Sequence, residues 1–222
     1  LQKKPPATQP QQLPLKAWQR RFEMALDMEL VKKLREQTGI SILECKKAIE
    51  ESGGDLTKAA EILRKKGFEK AKAKSSRVTN QGAIGSYIHM KGKIGVLLEL
   101  GCETDFVAKN EDFLQLIKDV SMQIAAMNPR FISEKDIPAA VLEKEKEIYR
   151  EQLKSSGKPA NIIEKIVDGK LSKFYADACL VHQPFFKDEK VTIQNLIADK
   201  IHKTGENIIV KRFVRYQVGE EI

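Results

Sequence analysis

Across residues 29–68 the apolar positions recur at three- and four-residue spacings, the signature of amphipathic helices. Leu30, Val31 and Leu34 make one stripe, and it stops at Gly39, a residue free to take the positive φ found just past a helix end. Ser41 and Glu44 have the S-x-x-E spacing of a capping box for a second helix, which Gly53-Gly54 closes. Asp55 is placed to cap a third, with Leu56, Ala59, Ala60 and Leu63 inward and Gly67 as its end. Three helices in about forty residues form a module whose core is marginal by itself. Ile42 and Leu43 stand side by side in the first turn of the second helix. Neighbouring helical positions point about 100° apart, so both do not fit a three-helix core, and one of them is expected to be an exposed apolar contact.

Glu69–Ser76 (EKAKAKSS) alternates Lys with Ala and carries no apolar stripe, so residues 69–76 are expected to be an exposed linker, helical or extended. Beyond it the period changes to two. Ile84, Ile88 and Met90 point one way, Lys91-Gly92 offers a tight turn, and Ile94, Val96, Leu98 and Leu100 form one face of a returning strand. Helical spacing resumes with Phe113, Leu116, Ile117, Val120, Ile124 and Met127, up to Pro129. It continues through 139–155, 159–168 and 169–180, and again after Thr192 with Ile193, Leu196, Ile197 and Ile201 inward until Gly205. A last strand spans 208–218. Three strands do not make a doubly wound fold, so residues 77–222 are expected to be α+β, a three-stranded antiparallel sheet packed by helices.

Residues 1–28 read differently. Pro5, Pro6, Pro10 and Pro14 among several glutamines leave too little apolar area to offset ordering entropy, so residues 1–15 are expected to be a disordered arm. Trp18, Phe22, Ala25 and Leu26 then fall on one helical face. Two origins stay open for this extension, an appended segment or a native partner-binding helix.

Charge narrows the function classes. The formal net charge of +8 suggests phosphates, because a basic protein gains affinity by releasing counterions. Its distribution argues otherwise: residues 1–76 carry 17 Lys+Arg against 10 Asp+Glu, whereas residues 77–222 carry 22 against 21. No zinc-finger spacing or aromatic RNA-binding signature accompanies the surplus, so direct nucleic-acid binding is not expected. No apolar run approaches the ~20 residues that span a bilayer, and no membrane association is expected. Cys45, Cys102 and Cys179 lie far apart, as neither a disulfide framework nor a zinc motif. Reduced thiols and a cytosol-like compartment follow.

A catalytic constellation is missing too. His89, His182 and His202 fall in a strand, a loop and a helix end, outside any nucleophile motif. No metal-binding or phosphate-binding glycine motif is present, and Glu143–Glu147 alternates with Lys as a solvated helix face does. One run resists dismissal: Gly101–Asn110 (GCETDFVAKN), which leaves the second strand and leads into a helix. Asp105 is either a turn or cap residue or part of a functional loop, and Phe106 either a core aromatic beneath it or an exposed element.

Together, LVKKLREQTG (Leu30–Gly39), ECKKAIEESGGD (Glu44–Asp55), TDFVAKNEDF (Thr104–Phe113) and SGKP (Ser156–Pro159) resemble the translation elongation factor Ts family. So do GKLSKFYADACLVHQPF (Gly169–Phe185) and RFVRYQVGE (Arg212–Glu220). The motifs run in that order over residues 29–222, and segment 1–28 has no counterpart among them. The resemblance implies a guanine-nucleotide exchange factor for elongation factor Tu, not an enzyme and without a cofactor. It implies a ubiquitin-associated-like domain at 29–68 and an exchange core at 77–222 with only one three-stranded unit, as in short members. Thr104, Asp105, Phe106 and Val107 match the loop that disturbs the partner's Mg²⁺ site, with the aromatic as a wedge. Arg35, Ile42, Leu43 and Lys46 match the helical domain's contact surface. Short members imply a homodimer meeting two partners, in a bacterial cytoplasm or an organelle matrix. The alternative left open by the residues is an adaptor, a ubiquitin-associated-like module binding another protein.

Overall fold

The computed structural model describes residues 28–154 and 159–220. The arm at 1–15, the apolar face at Trp18–Leu26 and most of the SGKP motif lie outside them. The chain divides into two compact units, Leu1–Lys65 and Lys66–Ile222.

In the first unit α1 (28–38) ends where Gly39 takes φ 68° and donates its N–H to the Arg35 carbonyl at 2.7 Å. In α2 (Ile42–Ser52) the Ser41 hydroxyl accepts the Glu44 N–H at 3.4 Å and donates to the Glu44 carboxylate at 3.3 Å. Gly53 and Gly54, at φ 66° and 86°, reverse the chain. Asp55 then accepts the N–H groups of Thr57 and Lys58 ahead of α3 (Leu56–Lys74), and those bonds hold its carboxyl below the usual range. Val31, Leu34, Cys45, Ala48, Ile49, Ala59 and Leu63 close a small core.

The expected stop at Gly67 is not observed, and α3 runs through it to Lys74. Glycine in a helix costs about 1 kcal/mol against alanine. Here a Cβ at Gly67 would stand 3.0 Å from Nδ1 of His202, so the missing side chain serves close packing. Residues 69–74 are therefore the last turns of this helix, and Ala71 packs on the larger unit's core.

That unit is built on a sheet ordered β1 (Gln81–His89), β2 (Ile94–Cys102), β5 (Ile209–Gln217), all antiparallel. The β1–β2 connection is a short 3₁₀ turn, Met90–Gly92, in which Met90 and Lys91 join Gly92 at positive φ. Val96, Leu98 and Leu100 face inward as their alternation requires, against Phe113, Leu116, Ile117, Val120 and Ile124 of α5 (Glu111–Met127). Gly85 admits this helix: a Cβ there would lie 2.0 Å from Cγ2 of Ile117. Asn128, at φ 44°, ends α5 just ahead of Pro129.

A one-turn helix, α4 (Asp105–Ala108), joins β2 to α5. After α5 come α6 (Ala139–Lys154) and α7 (Ala160–Ala178), the second unbroken at Gly169 where two helices were expected. A small hairpin of β3 (Pro184–Phe185) and β4 (Asp188–Thr192) follows, too short to register as a pattern. Then α8 (Ile193–Thr204) buries Ile193, Ile197 and Ile201 and ends at Gly205 with φ 78°. The sheet packs helices on one face, so the fold is α+β. The Thr192 hydroxyl caps α8 by accepting the Asn195 N–H at 3.2 Å. Thr192→Ala is expected to cost about 1 kcal/mol, seen as a lower urea midpoint at unchanged slope.

Candidate partner-binding site

Cys102 is fully buried at the end of β2, and the chain must leave the core within two residues. The Cys102 thiol donates to the Thr104 carbonyl at 3.1 Å. Thr104 is extended, φ −124° and ψ 159°, and its hydroxyl accepts the Val107 N–H at 3.4 Å as the cap of α4. A single turn does not repay its own nucleation, so α4 depends on its anchors. Val107 and Ala108 supply two by packing on the core.

With its neighbour Val107 turned inward, Phe106 is directed outward and is 82% exposed. It is not a core aromatic beneath a loop. An aromatic presented this fully at the start of a short helix leaves its burial energy unused in the free protein. Asp105 stands beside it, in the first turn rather than at the cap, and its carboxylate accepts Lys109 Nζ at 2.8 Å. That hydrogen bond, chiefly, holds the Asp105 carboxyl below the usual range, so it is ionised at neutral pH. Both partners are solvated, and the pair adds little to stability.

One residue that no sequence pattern marked is Glu206, in the turn between α8 and β5. Its carboxylate accepts the N–H groups of Glu103 at 3.2 Å and Thr104 at 3.0 Å, and the Thr104 hydroxyl at 2.6 Å. The Glu103 carboxylate in return accepts the Asn207 N–H at 2.6 Å. Its only local signal was an acid directly after the glycine that ends a helix.

The smaller unit offers a second surface. Ile42 and Leu43 open α2 and are both exposed, 47% and 64%, where one exposed residue was expected. Lys46 follows one turn later and lies 3.9 Å from Glu50. Ile42 and Lys46, at i and i+4, share a face, and Arg35 is an exposed residue near the end of α1. The structure thus places Arg35, Ile42, Leu43 and Lys46 around the α1–α2 turn, and Thr104, Asp105, Phe106 and Val107 on one loop of the larger unit.

Catalytic alternatives find little footing. An apolar cavity of about 590 Å³ in the larger unit, lined by Phe68, Ala71, Ile132, Ile197, Ile201 and Ile208, also borders on Ser133, Glu134 and His182. The Ser133 hydroxyl donates to Asp136 at 2.6 Å and belongs to a turn cap, while His182 Nε2 lies 3.2 Å from Glu134. That is a structural turn and not a nucleophile–base pair. The three cysteines are buried free thiols, and burial pushes Cys179 up to about 11, away from thiolate chemistry. Among the described residues no group of three or more His, Cys, Asp or Glu side chains is placed to hold a metal, and no helix is long and apolar enough to cross a membrane.

Comparison with known proteins agrees with the motifs. The family described as Elongation factor TS matches residues 24–220, including 24–28 of the segment for which no counterpart was expected. The chain is 58% identical to Elongation factor Ts of Thermodesulfovibrio yellowstonii over 197 residues, 89% of this chain and 98% of that protein. It is 57% identical to Elongation factor Ts of Fervidobacterium nodosum over 89% of this chain and all of that protein. With Elongation factor Ts of Thermotoga maritima the identity is 54% over 89% of this chain and 98% of that protein.

Proposed function

Because the chain belongs to the elongation factor Ts family, we propose that it is a guanine-nucleotide exchange factor that binds elongation factor Tu·GDP and promotes GDP release during translation elongation. It transforms no substrate. A factor that binds the nucleotide-free partner more tightly than the GDP-bound form must weaken GDP binding by the same ratio. The observation that carries this reading is Phe106, an aromatic held outward by a loop that Val107 and Ala108 anchor to the core. Entering beside the partner's nucleotide, Phe106 and the ionised Asp105 displace the groups around the bound Mg²⁺. That ion demands near-ideal octahedral geometry at short distances, so a small displacement of its shell is costly. The phosphates then lose their counter-charge and GDP leaves.

Arg35, Ile42, Leu43 and Lys46 of the helical module grip the partner's GTPase domain. Two adjacent exposed aliphatic side chains with flanking cations have the make-up of an interface anchor with a charged rim. The affinity they supply holds the factor in place while the loop acts, and residues 77–222 form the exchange core.

The chain also pairs with a second copy of itself, in a 2:2 complex with elongation factor Tu. Ile84, Ile88, Leu97 and Tyr216 are all exposed on the sheet face that α5 leaves bare. A solvated face of an antiparallel sheet is normally polar, and a contiguous apolar one marks an interface. On the same face Glu99 and Arg212 are register partners, with Arg212 Nε 2.6 Å from the carboxylate. The face is therefore locally neutral and meets its own copy without like-charge repulsion.

Substoichiometric amounts of the protein are expected to accelerate release of a fluorescent GDP analogue from elongation factor Tu. An unchanged release rate at micromolar concentrations would refute the exchange reading and favour an adaptor with a different partner.

A further inference from the structure

We propose that Glu206 is a positioning residue of the exchange loop, a clamp that fixes the direction in which Phe106 is presented; this rests on the exchange reading above. Glu206 lies about a hundred residues from Thr104 in sequence, and a carboxylate offers only acceptors. Three donors converge on it: two successive backbone N–H groups and the Thr104 hydroxyl. Because that hydroxyl gives its proton to Glu206, its oxygen keeps a lone pair directed at the Val107 N–H, the bond that caps α4. Removing the acceptor frees the hydroxyl to rotate and uncaps the turn that carries Phe106.

The clamp is reciprocal. Glu103 accepts the N–H of Asn207, the residue after Glu206, and lies 3.5 Å from an Arg77 guanidinium nitrogen. The Asn207 side chain donates to the Arg77 carbonyl at 2.9 Å and is itself buried. Gly205, at φ 78°, ends α8 so that the next residue faces the β2–α4 loop. Two loops far apart in sequence, at the end of the sheet where β2 stops and β5 starts, are thus tied by charge-assisted bonds, which are shorter and stronger than neutral ones. Most of this network is solvent-accessible, and it does not include Phe106. Its consequence is order: a wedge held in one direction does not have to be ordered upon binding, a cost that otherwise subtracts from the work done on the partner.

Glu206→Gln keeps the size of the side chain but removes the charge that strengthens all three bonds and replaces one acceptor oxygen by a donor. Either the two N–H groups that share one oxygen or the hydroxyl on the other then lose their acceptor, and the Thr104 N–H bond is weakened in both cases. At saturating factor this variant is expected to release GDP from elongation factor Tu about 10-fold more slowly. In a Phe106→Ala background it is expected to add nothing, because the clamp acts through that ring. Thr104→Val removes the hydroxyl without changing shape, and its effect is expected not to add to that of Glu206→Gln. In the free protein the Thr104 amide is expected to exchange with solvent faster in Glu206→Gln, by nuclear magnetic resonance, while the melting temperature stays near wild type. A release rate within twofold of wild type, an equal loss in the Phe106→Ala background, or an unaltered Thr104 amide would each overturn the clamp. Wild-type protein without effect on GDP release overturns the exchange reading and this proposal together. Failure of the clamp alone leaves an active wild type and an equally active Glu206→Gln.

Discussion

Phe106→Ala is expected to slow GDP release at saturating factor roughly 30-fold, corresponding to ~2 kcal/mol of differential binding from one buried interface aromatic. Fold is not at issue, since the ring is 82% exposed and its loss opens no cavity. Reciprocity fixes where the loss appears. Affinity for nucleotide-free elongation factor Tu falls by the same factor as the variant's weakening of GDP affinity is lost, while affinity for the GDP form changes little. Two titrations, with and without GDP, therefore measure the coupling independently of kinetics. Leu43→Ala supplies the contrast: an anchor that grips both forms alike raises the concentration giving half-maximal release and leaves the saturated rate intact. A change under twofold for Phe106→Ala would reassign the aromatic to another role.

Much of this site was legible because it violates a local rule. Adjacent apolar residues at Ile42-Leu43 are incompatible with one inward helical face, so the sequence alone marks one of them as exposed, and the structure exposes both. Phe106 was ambiguous for the opposite reason. A single aromatic in a short loop has no period, so whether it faces in or out is decided by Val107 and Ala108, which take the inward positions. Helix ends followed local chemistry where a glycine needed positive φ, as at Gly39, Gly53 and Gly205. They did not at Gly67, where close packing against His202 favours the glycine, nor at Gly169, where a Cβ would meet nothing within 4 Å and the helix simply tolerates a weak former. Glu206 was beyond reach. Its bonds join residues about a hundred positions apart, and neither periodicity nor turn propensity encodes which acid will close onto which loop.

Leu97→Asp is expected to convert the proposed dimer to monomer, raising its dissociation constant by more than about 100-fold. Leu97 lies on β2, the central strand, flanked in register by Ser86 of β1 and Val214 of β5, and so sits mid-face. Two sheets packed face to face stand about 10 Å apart with side chains interdigitated, which leaves no water to solvate a carboxylate at the centre. A two-fold axis makes the interface self-complementary, so one substitution buries two like charges at once. The free monomer is unharmed, because Leu97 points away from α5 and is half exposed already. Light scattering coupled to size exclusion reads the result directly: two chains for wild type and one for the variant, with a 2:2 assembly reduced to 1:1 when elongation factor Tu is added. Wild-type protein running as a single chain at tens of micromolar would remove the dimer from the scheme. A Leu97→Asp dimer of undiminished affinity would move the interface off the sheet, and leave Ile84, Ile88, Leu97 and Tyr216 as a face for some other partner.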